Sequence, residues 1–185
     1  MTTNPVFIHP SAEVHPTARI GPGTKVWNGV QVREHAVIGE HCSFGKDTYV
    51  DAHVRIGDRV RVQNGVSIFR GVRLDDDVFV GPHACFTNDL YPRAFNHGNF
   101  QLTETRVGAG ASIGAGATIL CGVTIGAFAM VGMAAAVIRD VPPYGLVVGN
   151  PGHLKGFVCR CGRPVPGGVS AGEKPWVCQH CGFST

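Results

Sequence analysis

From Ile8 to Ala136 the chain repeats itself every six residues. Counting from Ile8, an aliphatic residue or Phe stands at Val14, Ile20, Val26, Val32, Ile38, Phe44, Val50, Ile56, Val62, Ile68, Leu74, Val80 and Phe86, with no position missed. Four residues after each of these comes a small or β-branched residue, from Ala12, Ala18 and Thr24 through Cys42 and Thr48 to Ala84. Gly follows the aliphatic residue at Gly21, Gly39, Gly45, Gly57 and Gly81. After an interruption the beat resumes at Val107 and continues through Ile113, Ile119, Ile125, Val131 and Val137.

A period of six suits neither a helix nor a plain alternating strand. It predicts an all-β chain wound as a parallel β-helix. Three short strands make one coil, and coils stack at strand spacing, about 4.8 Å. The aliphatic residue fills the axis of the prism, and the small residue fits the corner beside it. Gly serves corners that need unusual backbone angles or close approach.

At 185 residues the chain suits one main domain and a small appendage, and an apolar content of 44% is enough for a sizeable core. A formal charge of +3 with no Lys/Arg run argues against a nucleic-acid partner. The start, MTTNPVFIHP, reads as lacking a signal peptide, and no apolar stretch reaches membrane-spanning length. Free thiols and a cysteine cluster suit a reducing cytoplasm.

Taken in order, His9-Pro10 and His15-Pro16 read as corner punctuation with outward-facing histidines. Between Phe86 and Val107 the interval is 21 residues instead of 6, so an inserted loop is expected at about 87–106. It is polar, with Asn88, Asp89, Arg93, Asn96, His97 and Asn99, and long loops on a regular scaffold often carry function. The coils after it are rich in Gly and Ala, including Gly110 and Gly126, which leave backbone open for a ligand to lie against. Arg139 to Pro143 is expected to end the helix, because Pro142 and Pro143 cannot continue a ladder. Residues 164–175 read as a flexible loop. The division is then a β-helix domain over 1–155 and a ribbon over 156–185.

The ribbon holds Cys159-Arg160-Cys161-Gly162 and Cys178-Gln179-His180-Cys181-Gly182, two cysteine pairs with 16 residues between them. Four thiolates at this spacing close a tetrahedral site, usually for zinc. Disulfides and iron are the alternatives. With four protein ligands nothing is left for substrate, so Cys159, Cys161, Cys178 and Cys181 point to a structural metal. The ribbon is too short to bury a core, and the metal would supply its folding energy. It serves as a clip to the prism or as a docking surface.

The beat, the interrupting loop and the ending Val148-Gly149-Asn150-Pro151 resemble the left-handed β-helix acyltransferases. Val26-Trp27, Val62-Gln63-Asn64-Gly65, Asp75-Asp76-Asp77 and Phe86-Thr87-Asn88 with Pro92-Arg93-Ala94 are similar to one bacterial branch. Its members N-acetylate the 3-amino group of a UDP-linked 2-acetamido-3-amino-2,3-dideoxyglucuronate. The likeness covers nearly all of residues 8–155. The chain departs from that branch at Asn28, Phe69 and Tyr91. The resemblance implies a homotrimer with active sites between subunits, acetyl-CoA as co-substrate and a nucleotide sugar as acceptor. It implies that Asn88 orients the amine and that Gln63, Asn64, Phe69 and Arg93 bind substrate. Gly110, Gly126, Arg139, Asn150 and Lys155 are the matching candidates for the CoA side. His83 is the candidate base, beside the reading that no protein base is needed. An O-acetyltransferase, a γ-type carbonic anhydrase and a non-catalytic scaffold are the rival readings.

Overall fold

The structure is a computed structural model and describes residues 4–95, 101–166 and 177–184. Its strands are mostly two residues long and form three sheets of nine, seven and six strands, parallel throughout except for the last pair of the nine-stranded sheet. Each coil crosses the three sheets in turn, as Ser43–Phe44, Tyr49–Val50 and Arg55–Ile56 do. Coils pair with an offset of 18 residues, for example Ser43↔Arg61 and Arg61↔Phe79. No strand is paired with its sequence neighbour until the last two, so the fold is a parallel β-solenoid.

The hexapeptide beat explains this directly. In a two-residue strand one side chain points in and the other out. The inward series Val26, Phe44, Val62, Val80, Ile113 and Val131 is fully buried, and the small column, including Val30, Ala36, Val54 and Val66, is buried beside it. Thr24 and Thr48 are also buried, with hydroxyls satisfied by backbone carbonyls of Gly39 and Gly45 at 2.9 and 2.8 Å. Burying each such aliphatic side chain contributes about 1.5–3 kcal/mol, so stability accrues coil by coil.

The corners divide two jobs that the sequence had assigned together to glycine. The glycines after the aliphatic residue serve close approach. A Cβ on Gly21 would lie 2.6 Å from the carbonyl carbon of Gly39, and one on Gly81 would lie 2.6 Å from the amide nitrogen of Ala115. The left-handed backbone falls two residues further on, at other glycines such as Gly23, Gly29 and Gly65 and at His35, His41, Asp47, His53, Arg59, Asp77 and His83, these seven with φ between 56° and 61°. His and Asp tolerate that region better than most residues. His9 and His15 lie in corners as expected, bonded to Ser11 and Thr17 at 2.9 Å.

Between Cys85–Phe86 and Thr105–Val107 the described residues hold no strand, and the coil offset rises to 33 at Phe79↔Ser112. The ladder then resumes in step, with Cys85↔Thr118 and Val72↔Thr105. The helix does not end at Arg139 to Pro143, as the prolines suggested. Val141 bridges Ile125, and Gly145–Val148 adds in parallel to Met130–Val131. Pro142 and Pro143 fall at a corner, and the Asp140 carboxylate accepts the Thr124 amide at 2.7 Å. His153–Phe157 then turns back antiparallel against Gly145–Val148 and runs across the 155/156 division.

Inward and outward positions should respond differently to truncation. Ile68→Ala is expected to destabilise by about 2–5 kcal/mol. Arg61→Ala, on an outward position, is expected to stay within about 0.5 kcal/mol. Denaturant unfolding of the two variants measures the difference.

Candidate functional site

The seven-stranded face carries most of the residues expected to act on substrate. Ser67–Ile68 and Cys85–Phe86 are adjacent strands in this sheet. Gln63, Asn64 and His83 stand on the corners before them, and Phe69 and Asn88 on the corners after them. Five sequence candidates thus gather around two neighbouring coils.

On the leading corner, the His83 amide donates to the Asn64 carbonyl at 2.9 Å. The exposed His83 ring lies over Gly65, where a Cβ would stand 2.5 Å from Nδ1. Asn64 Oδ1 accepts the Lys46 amide at 3.0 Å, so that oxygen already closes a corner. Gln63 is half-buried, and its carbonyl accepts the Thr48 hydroxyl at 3.1 Å.

On the trailing corner, Phe69 packs on Tyr49 with ring centroids 5.7 Å apart. The Tyr49 hydroxyl donates to Asp51 Oδ1 at 3.0 Å, and Asp51 Oδ2 accepts the Arg70 amide at 3.0 Å. Burial, then the bond to Asp51, pushes the Tyr49 phenol up, so it remains a donor at neutral pH. Tyr49, Asp51 and Arg70 were not singled out in the sequence. Asn88 is half-buried at the start of the interrupting segment. Thr87 anchors that start, accepting the Cys121 amide at 3.0 Å, and Thr105 anchors its return, accepting the Gly122 amide at 3.1 Å. Arg93 is exposed and donates to the Pro92 carbonyl at 2.8 Å. Asn96, His97 and Asn99 lie outside the described residues. Cys85 lies between the two corners, and burial pushes its thiol up, which disfavours the nucleophilic thiolate.

The residues expected to meet CoA lie on later coils. The Gly110 and Gly126 amides donate to Asp76 and Val141 at 2.9 and 2.8 Å, so neither is available to a ligand. Phe128 covers Gly110, and Pro142 with Pro143 covers Gly126. Arg139, Asn150 and Lys155 are exposed near the end of the solenoid, and none of them is ion-paired among the described residues.

The four C-terminal cysteines form one cluster, with their sulfurs all within 4.8 Å of one another. Cys159 and Cys181 are 3.5 Å apart, and Cys161 and Cys178 are 3.8 Å apart. Metal–sulfur bonds of about 2.3 Å in a tetrahedron require sulfur–sulfur edges of about 3.8 Å, so the donor set fits a closed metal site. Backbone amides of Cys181 and His180 favour the Cys178 thiolate, lowering its pKa to about 6, while burial pushes Cys159 up to about 12. A cation among the sulfurs would offset that burial cost. The ribbon packs on a corner column of the prism. Phe183 stacks on Tyr144 at 6.3 Å, Tyr144 stacks on Phe128 at 5.3 Å, and the Val158 amide donates to the Tyr144 carbonyl at 2.8 Å.

Two families of repeats match the chain. Residues 35–70 match the bacterial transferase hexapeptide (six repeats), and residues 104–137 match the hexapeptide repeat of succinyl-transferase. The solenoid is thus built in part from transferase-type hexapeptide repeats. More particularly, 57 residues are 44% identical to dTDP-3-amino-3,6-dideoxy-alpha-D-galactopyranose 3-N-acetyltransferase of Aneurinibacillus thermoaerophilus, covering 31% of this chain and 30% of that protein. A mutant perosamine N-acetyltransferase from Caulobacter crescentus, solved with CoA and GDP-perosamine, is similar at 28% identity and a TM-score of 0.54, over 83% of this chain and 58% of that one. The acetyltransferase domain of PglB from Neisseria gonorrhoeae, solved with acetyl coenzyme A, is similar at 26% identity and a TM-score of 0.54, over 82% and 58%. The chain therefore spans less than two thirds of the length of each of these relatives.

Removing the aromatic bridge should free the ribbon and spare the prism. Tyr144→Ala is expected to raise hydrogen exchange at Val158 and Cys178 at least tenfold while leaving the amides of Val62 and Val80 protected. Exchange mass spectrometry measures both regions in one experiment.

Proposed function

We propose that the chain is an acetyl-CoA-dependent N-acetyltransferase acting on the 3-amino group of a nucleotide-linked amino sugar. The observation that carries N-acetyl transfer to a nucleotide-linked amino sugar is the likeness, over 83% of the chain, to a perosamine N-acetyltransferase solved with CoA and GDP-perosamine. The stretch 44% identical to a dTDP-sugar 3-N-acetyltransferase supports the position of the amine. Gln63, Asn64, Phe69, His83 and Asn88, on the corners flanking two adjacent strands, support an acceptor site there.

In the reaction, the neutral sugar amine attacks the thioester carbonyl. A C–N bond forms, the tetrahedral intermediate collapses, the C–S bond breaks, and the thiolate leaves with the electron pair. The amine's surplus proton passes to solvent or to the leaving thiolate. Asn88 orients the amine through its side-chain carbonyl, and positioning two bound substrates supplies much of the acceleration. Gln63 and Phe69 bind sugar or nucleotide, with the free side-chain amide of Asn64 as a further donor. Arg93 takes a carboxylate or phosphate bidentately. Arg139 and Lys155 meet the CoA phosphates near Asn150. In this mechanism His83 is a corner residue and the amine needs no protein base. Transfer to a hydroxyl would need one, because a hydroxyl is far less acidic than an ammonium.

The same reading carries a left-handed coil, a cytoplasmic location and a β-helix domain over 1–155 followed by a ribbon over 156–185. It also carries a homotrimer with sites between subunits. Leu90, Tyr91 and Phe95 are exposed on the interrupting segment, Tyr91 and Phe95 at 77% and 81%, and a neighbouring subunit would cover them. Cys159, Cys161, Cys178 and Cys181 hold structural zinc, which clips the ribbon to the last coil. Among the described residues no helix is long and apolar enough to cross a membrane.

Thiol release from acetyl-CoA tests the reaction, with UDP- and dTDP-linked 3-amino sugars as acceptors and 3-hydroxy counterparts as controls. Release is expected only with the amines, reduced about 100-fold or more in Asn88→Ala and retained in His83→Ala. Loss in His83→Ala would move the proton transfer onto that histidine. No release, with no CoA binding, would refute the enzyme. Elemental analysis tests the metal: about one zinc per chain is expected, with none in Cys178→Ser and an unchanged solenoid core.

A further inference from the structure

Outside the residues already assigned roles, one patch combines a cleft with unpaired cations. On the six-stranded face, Arg55, Arg73 and Arg106 stand in register on three consecutive strands, each at an exposed position. Like charges directly opposite one another across a ladder repel. Asp75 offsets part of this, accepting from Arg106 at 3.1 Å and from Arg73 at 3.3 Å. Neither Arg55 nor Arg70 on the adjoining corner is ion-paired among the described residues. Arg55, Arg70, Arg73 and His53 line a cleft of about 350 Å³, together with Leu102 and Glu104 of the returning segment. Glu104 is the one acidic group of that lining, against three guanidinium groups.

The cleft is built into the fold. Asp51 fixes the Arg70 corner through the Arg70 amide at 3.0 Å and is itself held by the Tyr49 hydroxyl at 3.0 Å. Gly71 lets the returning segment close over the floor: a Cβ there would lie 3.0 Å from Leu102 Cδ1, and its φ is 93°. Ile68 pairs with Phe86, and Arg70 and Asn88 each stand two residues past that pair. Stacked coils lie about 4.8 Å apart, so the Arg70 corner lies one coil from the start of the interrupting segment, where Asn88 stands.

We propose that this cleft binds the diphosphate of the nucleotide-linked acceptor, with Arg55 and Arg70 as its cationic ligands. The proposal rests on the acetyltransferase reading and deepens it. Guanidinium groups pair bidentately with phosphate oxygens. CoA also carries a diphosphate, so the chemistry is shared, but the geometry favours the sugar nucleotide. Its diphosphate is bonded to the anomeric carbon, so a diphosphate beside Arg70 brings the sugar ring against Asn88. The CoA diphosphate is separated from the thioester by the whole pantetheine arm and gains nothing from that adjacency. Arg93 is then free for a carboxylate on the sugar.

The test is calorimetry on the full chain, titrating inorganic pyrophosphate, UDP, dTDP and CoA. The variants are Arg55→Gln and Arg70→Gln, with Arg61→Gln on the nine-stranded face as control. Both cleft side chains are exposed, so melting temperatures are expected to match wild type. Each cleft variant is expected to weaken pyrophosphate and nucleoside diphosphate about tenfold and to leave CoA within about twofold. Arg61→Gln is expected to change none of them. Weakened CoA with unchanged nucleoside diphosphate would overturn the assignment and give the cleft to the CoA diphosphate. Unchanged pyrophosphate and nucleotide binding, with acetyl transfer intact, would overturn the cleft and leave the enzyme standing. Lost pyrophosphate binding in the variants of a protein that transfers no acetyl group would keep the cleft and refute the enzyme.

Discussion

The structure depends on one constraint: every sixth side chain must fill the axis of a narrow prism while the backbone of each coil bonds to the next. Because three strands close a coil, a residue's neighbours in space are the residues 18 positions away. The stacked inward columns make the core. The stacked outward columns make surfaces whose chemistry is set one residue per coil. Between Phe86 and Thr105 the described residues hold no strand, and the ladder offset changes from 18 to 33 without the ladder breaking. The ends of this stretch are pinned by Thr87 and Thr105 on the following coil. It therefore departs from, and returns to, a rigid base.

That arithmetic explains how much of the site was legible. The core columns, the interruption and the cysteine cluster follow from spacing alone. Asn88 and Phe69 came from a motif resemblance, and the ladder shows why they share a corner: Phe69 and Thr87 belong to adjacent coils. The cationic cleft was written in the same spacing, since Arg55 and Arg73 differ by one coil and Arg106 follows on the next. It was missed because each Arg, taken singly, looks like an ordinary exposed cation. Only the register shows that three of them stack, and only the returning segment turns the stack into a cleft. The two roles expected of glycine both occur, at different positions. Composition does not separate a glycine needed for close approach, such as Gly81, from a left-handed corner. His and Asp fill many of those corners.

The C-terminal end follows a different logic. The prolines looked like a stop, but they sit at a corner that needs no donor, and the Asp140 carboxylate supplies an acceptor to Thr124. The chain adds a further strand and turns back before the ribbon begins. Among its described residues the ribbon buries Val158, Cys159 and Cys178. Its hold on the prism is the aromatic column Phe128, Tyr144 and Phe183 together with the sulfur cluster. The cysteine motif was visible in the sequence, but its aromatic anchor was not, because residues so far apart in sequence meet only after the last coil is wound.

The most direct measurement is a crystal structure with CoA and a nucleotide-linked 3-amino sugar bound together. The sugar nitrogen is expected within hydrogen-bonding distance of the Asn88 side-chain oxygen, facing the CoA sulfur, with the diphosphate against Arg55 and Arg70. A sugar bound with its amine on His83 and away from Asn88, or a nucleotide held on another face, would contradict both the mechanism and the placement of the acceptor.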